Sequence, residues 1–170
     1  MSESEEFEIA KHVISCLNST PLAVLATNDK GGIWGTPVYF THDDKFDFYI
    51  LSNSKSRHSR AIKKDREVAL VVVMPPDLSG GFEVGIQIAG VAEEMSGKEI
   101  EDIYRQRILK ITGNKADFFN AGGAQYIMTS GGMFIKVVPK LIMYLDRRYH
   151  GSDSRKVSIK RLVQLSRYIR

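Results

Sequence analysis

The brevity of the gaps between its apolar runs constrains this chain more than any other feature. From residue 21 the sequence reads PLAVLAT, NDKGG, IWGTPVYF, THDDK and FDFYIL in succession. The apolar pieces have strand length and the Val, Ile, Tyr and Phe content that suits a pleated surface, while the pieces between them hold the Gly, Asn and Asp of tight turns. A parallel crossover needs a dozen or more residues, usually a helix, and none of these gaps can hold one. Residues 21–51 are therefore predicted as an antiparallel meander. Ahead of it, Phe7, Ile9, Val13, Ile14 and Leu17 recur at helical spacing and predict an opening helix that ends near residues 18–21.

The same reading carries on down the chain. SNSKSRHSRAI (residues 52–62) opens a short helix directly behind a strand, with Ala61 and Ile62 facing inward. VALVVVM is apolar on successive residues, as a central strand would be. PPDLSGG interrupts the sheet and FEVGIQIAGVAEEM resumes it, with Gly85 and Gly90 marking a bulge or sharp bend. GKEIEDIYRQRILKIT is predicted as a second clear helix, residues 114–132 as a loop, and MFIKVVP and KLIMYLD as two closing strands. Seven short antiparallel strands with two or three helices predict a mainly β fold: a small six- to seven-stranded antiparallel barrel with the helices at its periphery.

Length and composition agree with one globular domain. The chain has 170 residues, 43% hydrophobic and 26% charged, and no apolar run approaches the roughly 20 residues of a membrane helix. The acidic start, MSESEEFEIA, is unlike a secretory signal. With Cys16 as the only cysteine there is no internal disulfide, and a cytoplasmic location is expected. Charge is unevenly spread: residues 1–100 carry 10 Lys/Arg against 15 Asp/Glu, residues 101–170 carry 14 against 5. Much of the excess lies in the tail, 147–170, where Val157, Ile159, Leu162, Val163 and Leu165 alternate with the bases. That pattern predicts an extension docked on the barrel or on a partner subunit; nucleic acid is not the expected partner.

The chemistry-bearing segment is Ser52–Arg60. Unpaired backbone N–H groups, a capping Ser54 or Ser56 and the bidentate fork of Arg57 together suit a phosphate dianion, although a capped, solvated helix face would have the same composition. Signatures of other chemistries are missing. The sequence has no G-x-G-x-x-G behind a strand, no G-x-x-x-x-G-K-[ST], no G-x-S-x-G elbow and no H-E-x-x-H pair, so no protein-built metal site is expected and no catalytic acid or base is assigned.

In order and motif, the chain resembles the pyridoxamine 5′-phosphate oxidase-like FMN-binding split-barrel family. The resemblance rests on PLAVLATNDKGGIWGTPVYF, on FDFYILSNSKSRHSRAIKKDREVAL, on IQIAGVAEEM and on FIKVVPKLIMYLD, read as the family's closing hairpin. It implies a flavin-binding split-barrel domain over residues 1–146, a homodimer with FMN at the subunit interface, and a basic extension over 147–170. It assigns Ser56 and Arg57 to the phosphate, Thr36, Pro37 and Val38 to the strand that edges the flavin ring, Leu51 and Ser52 to the ribityl chain and phosphate, and Gln87 to a cofactor contact. His58 stands where the family commonly has lysine, and it supplies less charge to a phosphate. The implied activity is electron transfer between a reduced nicotinamide or similar donor and a small substrate. The alternative is a non-catalytic flavin- or haem-binding stress-type protein on the same barrel, and a deazaflavin could take the place of FMN.

Overall fold

The computed structural model describes residues 2–95, 102 and 131–167. The helix predicted over residues 97–112, apart from residue 102, and the loop predicted over 114–132, apart from Gly131 and Gly132, fall outside the described residues.

Helix α1 (Glu3–Ser19) begins where the Ser2 side chain accepts a hydrogen bond from the Glu5 N–H, and Glu3, Glu5 and Glu6 complement the positive end of its first turn. It buries Ile9, Ala10, Val13, Ile14, Cys16 and Leu17, the stripe read from the sequence. The meander follows as β1 (Leu22–Asp29), β2 (Gly32–His42) and β3 (Phe48–Asn53). A six-residue helix, α2 (Arg57–Ile62), leads into β4 (Glu67–Val73); one turn of helix, α3 (Pro76–Ser79), leads into β5 (Val84–Met95). β6 runs over Gly132–Asp146, then come a helical turn α4 (Arg147–His150), the short strand β7 (Arg155–Val157) and α5 (Ile159–Ser166).

Every pairing is antiparallel, in the order β3-β2-β1-β4-β5-β6-β7, and β3 also pairs with β6. That last pairing closes six strands into a barrel and leaves β7 as an outer strand on β6. Alternation does the filling: one set of side chains from each strand points inward, where Leu25, Phe40, Phe48, Leu70, Ile86 and Tyr144 are fully buried.

One sequence expectation needs correction here. FIKVVPKLIMYLD lies within a single strand, the 15-residue β6, and is not a hairpin. Ala89 faces Leu141 while Gly90 faces Pro139, so Lys140 is an extra residue in a bulge. The bulge absorbs the N–H that Pro139 lacks. Gly90 is required at that bend, because a Cβ there would lie 2.6 Å from the Val138 carbonyl oxygen. The seventh strand is instead β7, which pairs with Ile142–Tyr144 on the outer edge of β6.

The barrel is split between β2 and β3. These two strands pair only through Phe40, Thr41 and His42, whereas β2 follows β1 all the way from Gly32 to Tyr39. Among the described strands, the other edge of residues 32–38 pairs with no strand, and α2 sits beside this opening.

Candidate functional site

The turn after β3 brings the chain back onto the β1–β2 hairpin. Ser56 caps α2, its hydroxyl accepting from the Ser59 N–H at 3.3 Å. The next residue, Arg57, reaches across to Asp29: Nε donates to Oδ2 at 2.8 Å and Nη2 to Oδ1 at 2.9 Å. Its guanidinium lies over the Trp34 ring, 4.5 Å from the centroid. Gly31 makes room for this arrangement, since a Cβ there would approach Arg57 Nη2 to 2.8 Å, and its N–H donates to Asp29 Oδ1. The hydrogen bonds from Arg57, with the Gly31 N–H, hold the Asp29 carboxyl down at about 2.

A fork used in this way is fixed in orientation without being used up. Two of the five guanidinium N–H groups serve Asp29, and among the described residues the remaining three have no acceptor and can meet an anion. They border an open groove of about 610 Å³ lined by Asp29, Lys30, Gly31, Arg57, Arg60, Ala61, Lys63 and Lys64, five bases against one carboxylate. Arg60 Nη1 also donates to the Lys55 carbonyl, and Lys63 pairs with Glu94 at 3.3 Å.

His58 faces the other way. Its Nε2 lies 2.6 Å from the Ser52 hydroxyl and 3.1 Å from the Ser56 hydroxyl, beneath the helix. Ser56 donates to Ser59 Oγ at 2.8 Å, and Ser59 Oγ lies 3.0 Å from Ser52 Oγ. Three hydroxyls and one imidazole nitrogen thus form a compact polar cluster. Burial pushes the ring's pKa below the ordinary histidine value.

The remaining predicted residues fall in two places. Thr36, Pro37 and Val38 lie on the open edge of β2: Pro37 is exposed on the outer face, Val38 points into the barrel, and Thr36 Oγ1 is buried without a hydrogen-bond partner among the described residues. Leu51 and Ser52 pair with Phe134 and Met133 on β6, which puts Ser52 under α2. Gln87 is remote from all of these. It is exposed on the outer face of β5, accepts from Ser154 Oγ at 3.3 Å, and is three strands from Pro37 through Val24 and Val71. At roughly 4.8 Å per strand that is about 14 Å.

Asp29, Gly31 and Ser59 were not singled out in the sequence. The NDKGG turn did carry a signal, since an Asp two residues before a glycine favours the Asx turn that aims its carboxylate. Among the described residues no group of three or more His, Cys, Asp or Glu side chains is placed to hold a metal. Cys16 takes no part: it is fully buried, and burial pushes its thiol up to about 11.

A closed six-stranded antiparallel barrel, split beside a serine/arginine turn, defines the split-barrel class. The family model described as pyridoxamine 5′-phosphate oxidase matches residues 9–145, and the chain belongs to that family. No curated protein matches it. Similar solved structures include a Clostridium acetobutylicum protein related to general stress protein 26, of the pyridoxinephosphate oxidase family (TM-score 0.67, 13% identity, covering 92% of this chain and 98% of that one). A haem-binding protein from Mycobacterium smegmatis is similar at TM-score 0.64 and 18% identity over 94% of this chain and 60% of its own. The haem storage protein HutZ of Vibrio cholerae matches at TM-score 0.59 and 14% identity over 76% and 89%. At these identities the likeness is one of fold.

Proposed function

We propose that this chain is an FMN-binding flavoprotein that works as an oxidoreductase between a reduced nicotinamide or similar donor and a small substrate. The observation that carries the reading is Arg57: a guanidinium fixed by Asp29 and Trp34, with three N–H groups left over, at the mouth of a groove lined by five bases. It stands at the turn where the family resemblance puts the phosphate, and the unpaired backbone edge of β2 beside it offers N–H and C=O groups to a flat heterocycle. These residues fit the cofactor. When bound, FMN would supply the hydride or electron transfer, and the chain's own task is to grip the phosphate, align the ring against residues 36–38 and limit access.

The same reading makes the protein a homodimer. Leu22, Val24 and Tyr39 are 48%, 43% and 50% exposed, and with Pro37 and Val71 they form an apolar outer face on β1, β2 and β4. A second copy on that face would cover it and could bring a partner's glutamine toward the groove, which Gln87 of the same chain cannot reach.

The competing reading is the non-catalytic flavin- or haem-binding protein, and it draws on the haem-binding structural neighbours. His58 turns its Nε2 into the Ser52 hydroxyl instead of the groove, which favours the flavin. Titration of the apo-protein with FMN, followed by flavin fluorescence, is expected to show quenching at micromolar concentrations, with no Soret band on parallel addition of haem. No quenching at tens of micromolar FMN overturns the flavin reading.

A further inference from the structure

The Arg57 fork gives the groove direction but no net charge. Its guanidinium is matched by Asp29, whose carboxyl is held down at about 2 and stays ionised. A phosphate monoester carries about −1.5 to −2 charges at neutral pH, so it needs cations beyond this pair. The family resemblance puts a lysine at position 58, and the fold withdraws that position: His58 is buried beneath α2 with its Nε2 on the Ser52 hydroxyl. Two other bases on the groove are engaged elsewhere. Lys63 pairs with Glu94 at 3.3 Å, and Arg60 is drawn back to the Lys55 carbonyl. That leaves Lys30 and Lys64, both exposed, one from each wall. Lys30 stands in the β1–β2 turn between Asp29 and Gly31. Lys64 stands just past α2, where its N–H donates to the Ala61 carbonyl at 2.9 Å and keeps the chain coiled. Among the described residues neither ammonium has a hydrogen bond or ion pair. The Lys64 charge nonetheless reaches Asp29 across the groove and helps to hold its carboxyl down.

We propose that Lys30 and Lys64 are the charge-bearing ligands of the anion, closing on it from the two walls in place of the lysine missing at position 58, while Arg57 sets its orientation. The assignment rests on the groove being the anion site of the proposed function. The two roles differ physically. Ammonium groups on long exposed stems attract a dianion at a distance and are weakened by salt, whereas the hydrogen bonds of the fixed Arg57 fork act only in contact. A lysine at position 58 would face Ser52 and add a charge that the groove cannot use.

Trp34 is the only tryptophan and lies against Arg57, so its emission reports an anion in the groove even when the anion is colourless. Affinities for sulfate, FMN and riboflavin are measured on the full chain as wild type, Lys30→Gln, Lys64→Gln and the double variant. Lys55→Gln is the control, since its exposed lysine precedes α2 and does not line the groove. At about 0.01 M NaCl each groove variant is expected to lose roughly threefold to tenfold in affinity for sulfate and FMN, and the double variant more than either. Riboflavin binding and the Lys55→Gln protein should stay near wild type. Raising NaCl to about 1 M shortens the screening length from about 30 Å to about 3 Å and should bring the groove variants level with wild type, while Arg57→Ala stays weaker. Lys30→Arg and Lys64→Arg should bind as wild type does, and His58→Lys should tighten neither anion. Losses no larger than that of Lys55→Gln, losses that persist in high salt, or tightening by His58→Lys overturn the assignment. FMN binding that ignores both lysines leaves the flavin reading standing without it. Lysine-dependent sulfate binding with no FMN binding removes the flavin and keeps the assignment, and binding of neither anion removes both.

Discussion

Arg57 and His58 are adjacent in sequence and take opposite directions in the fold. Both belong to a run of bases and serines that reads as one polar surface, and a six-residue helix is too short for periodicity to separate its faces. The helix cap, read as Ser54 or Ser56, was legible, and Ser56 supplies it; Arg57 was legible as a candidate anion fork, because a serine cap followed by a forked cation has a physical use. Asp29 as the partner of Arg57 was not, since the pair joins residues 28 apart in sequence. The inward turn of His58 has a consequence for stability. A ring whose folded pKa lies below the unfolded value of 6.5 adds stability that is complete above pH 6.5 and is lost as the pH falls toward the folded value. Urea denaturation at pH 7.5 and 5.5 is expected to show that loss in the wild type and a smaller one in His58→Asn.

Elements with strict alternation could be read directly. β1 buries Ala23, Leu25 and Thr27 and leaves the residues between them exposed or half-buried, and β5 alternates in the same way from Val84 to Ala92. β6 was misread because a proline in an apolar run looks like a strand end, and only the partner strand shows that the bulge at Lys140 absorbs it. β7, with three residues, is too short to register as a period. The tail's attachment likewise depends on contacts invisible in one dimension. Asp146, fully buried at the end of β6, accepts from Tyr144 Oη at 2.7 Å, from the Arg148 N–H at 3.0 Å and from Arg148 Nε and Nη2 at 2.9 and 2.6 Å. Burial pushes its carboxyl up, and the bonds from Arg148 and Tyr144 outweigh that and hold it below the usual range. Arg147, by contrast, pairs with Glu83 in the open. Arg148→Ala strands a buried carboxylate and is expected to cost about 2–3 kcal/mol. Arg147→Ala should cost under about 0.5 kcal/mol. Denaturant midpoints of the two variants check the contrast, and equal costs would refute it.

At the scale of the whole molecule, closing β3 on β6 covers only the inner faces of the strands. The apolar outer residues on β1, β2 and β4 need a second surface, and sedimentation at micromolar concentration is expected to give twice the chain mass of 19.1 kDa. A monomer saturated with FMN would contradict a site shared between subunits. The barrel itself was legible from gap lengths and alternation; the split came only through the family resemblance, because its place beside β2 depends on where two strands stop pairing. That split puts an open strand edge and the Arg57 fork within one opening, and the central claim is that the fork reads a phosphate. Affinities for FMN and for riboflavin, which differ only by that phosphate, measure it directly in the wild type and in Arg57→Ala. The account expects FMN to weaken by roughly tenfold to a hundredfold in the variant while riboflavin changes little. Equal losses for the two ligands would contradict it.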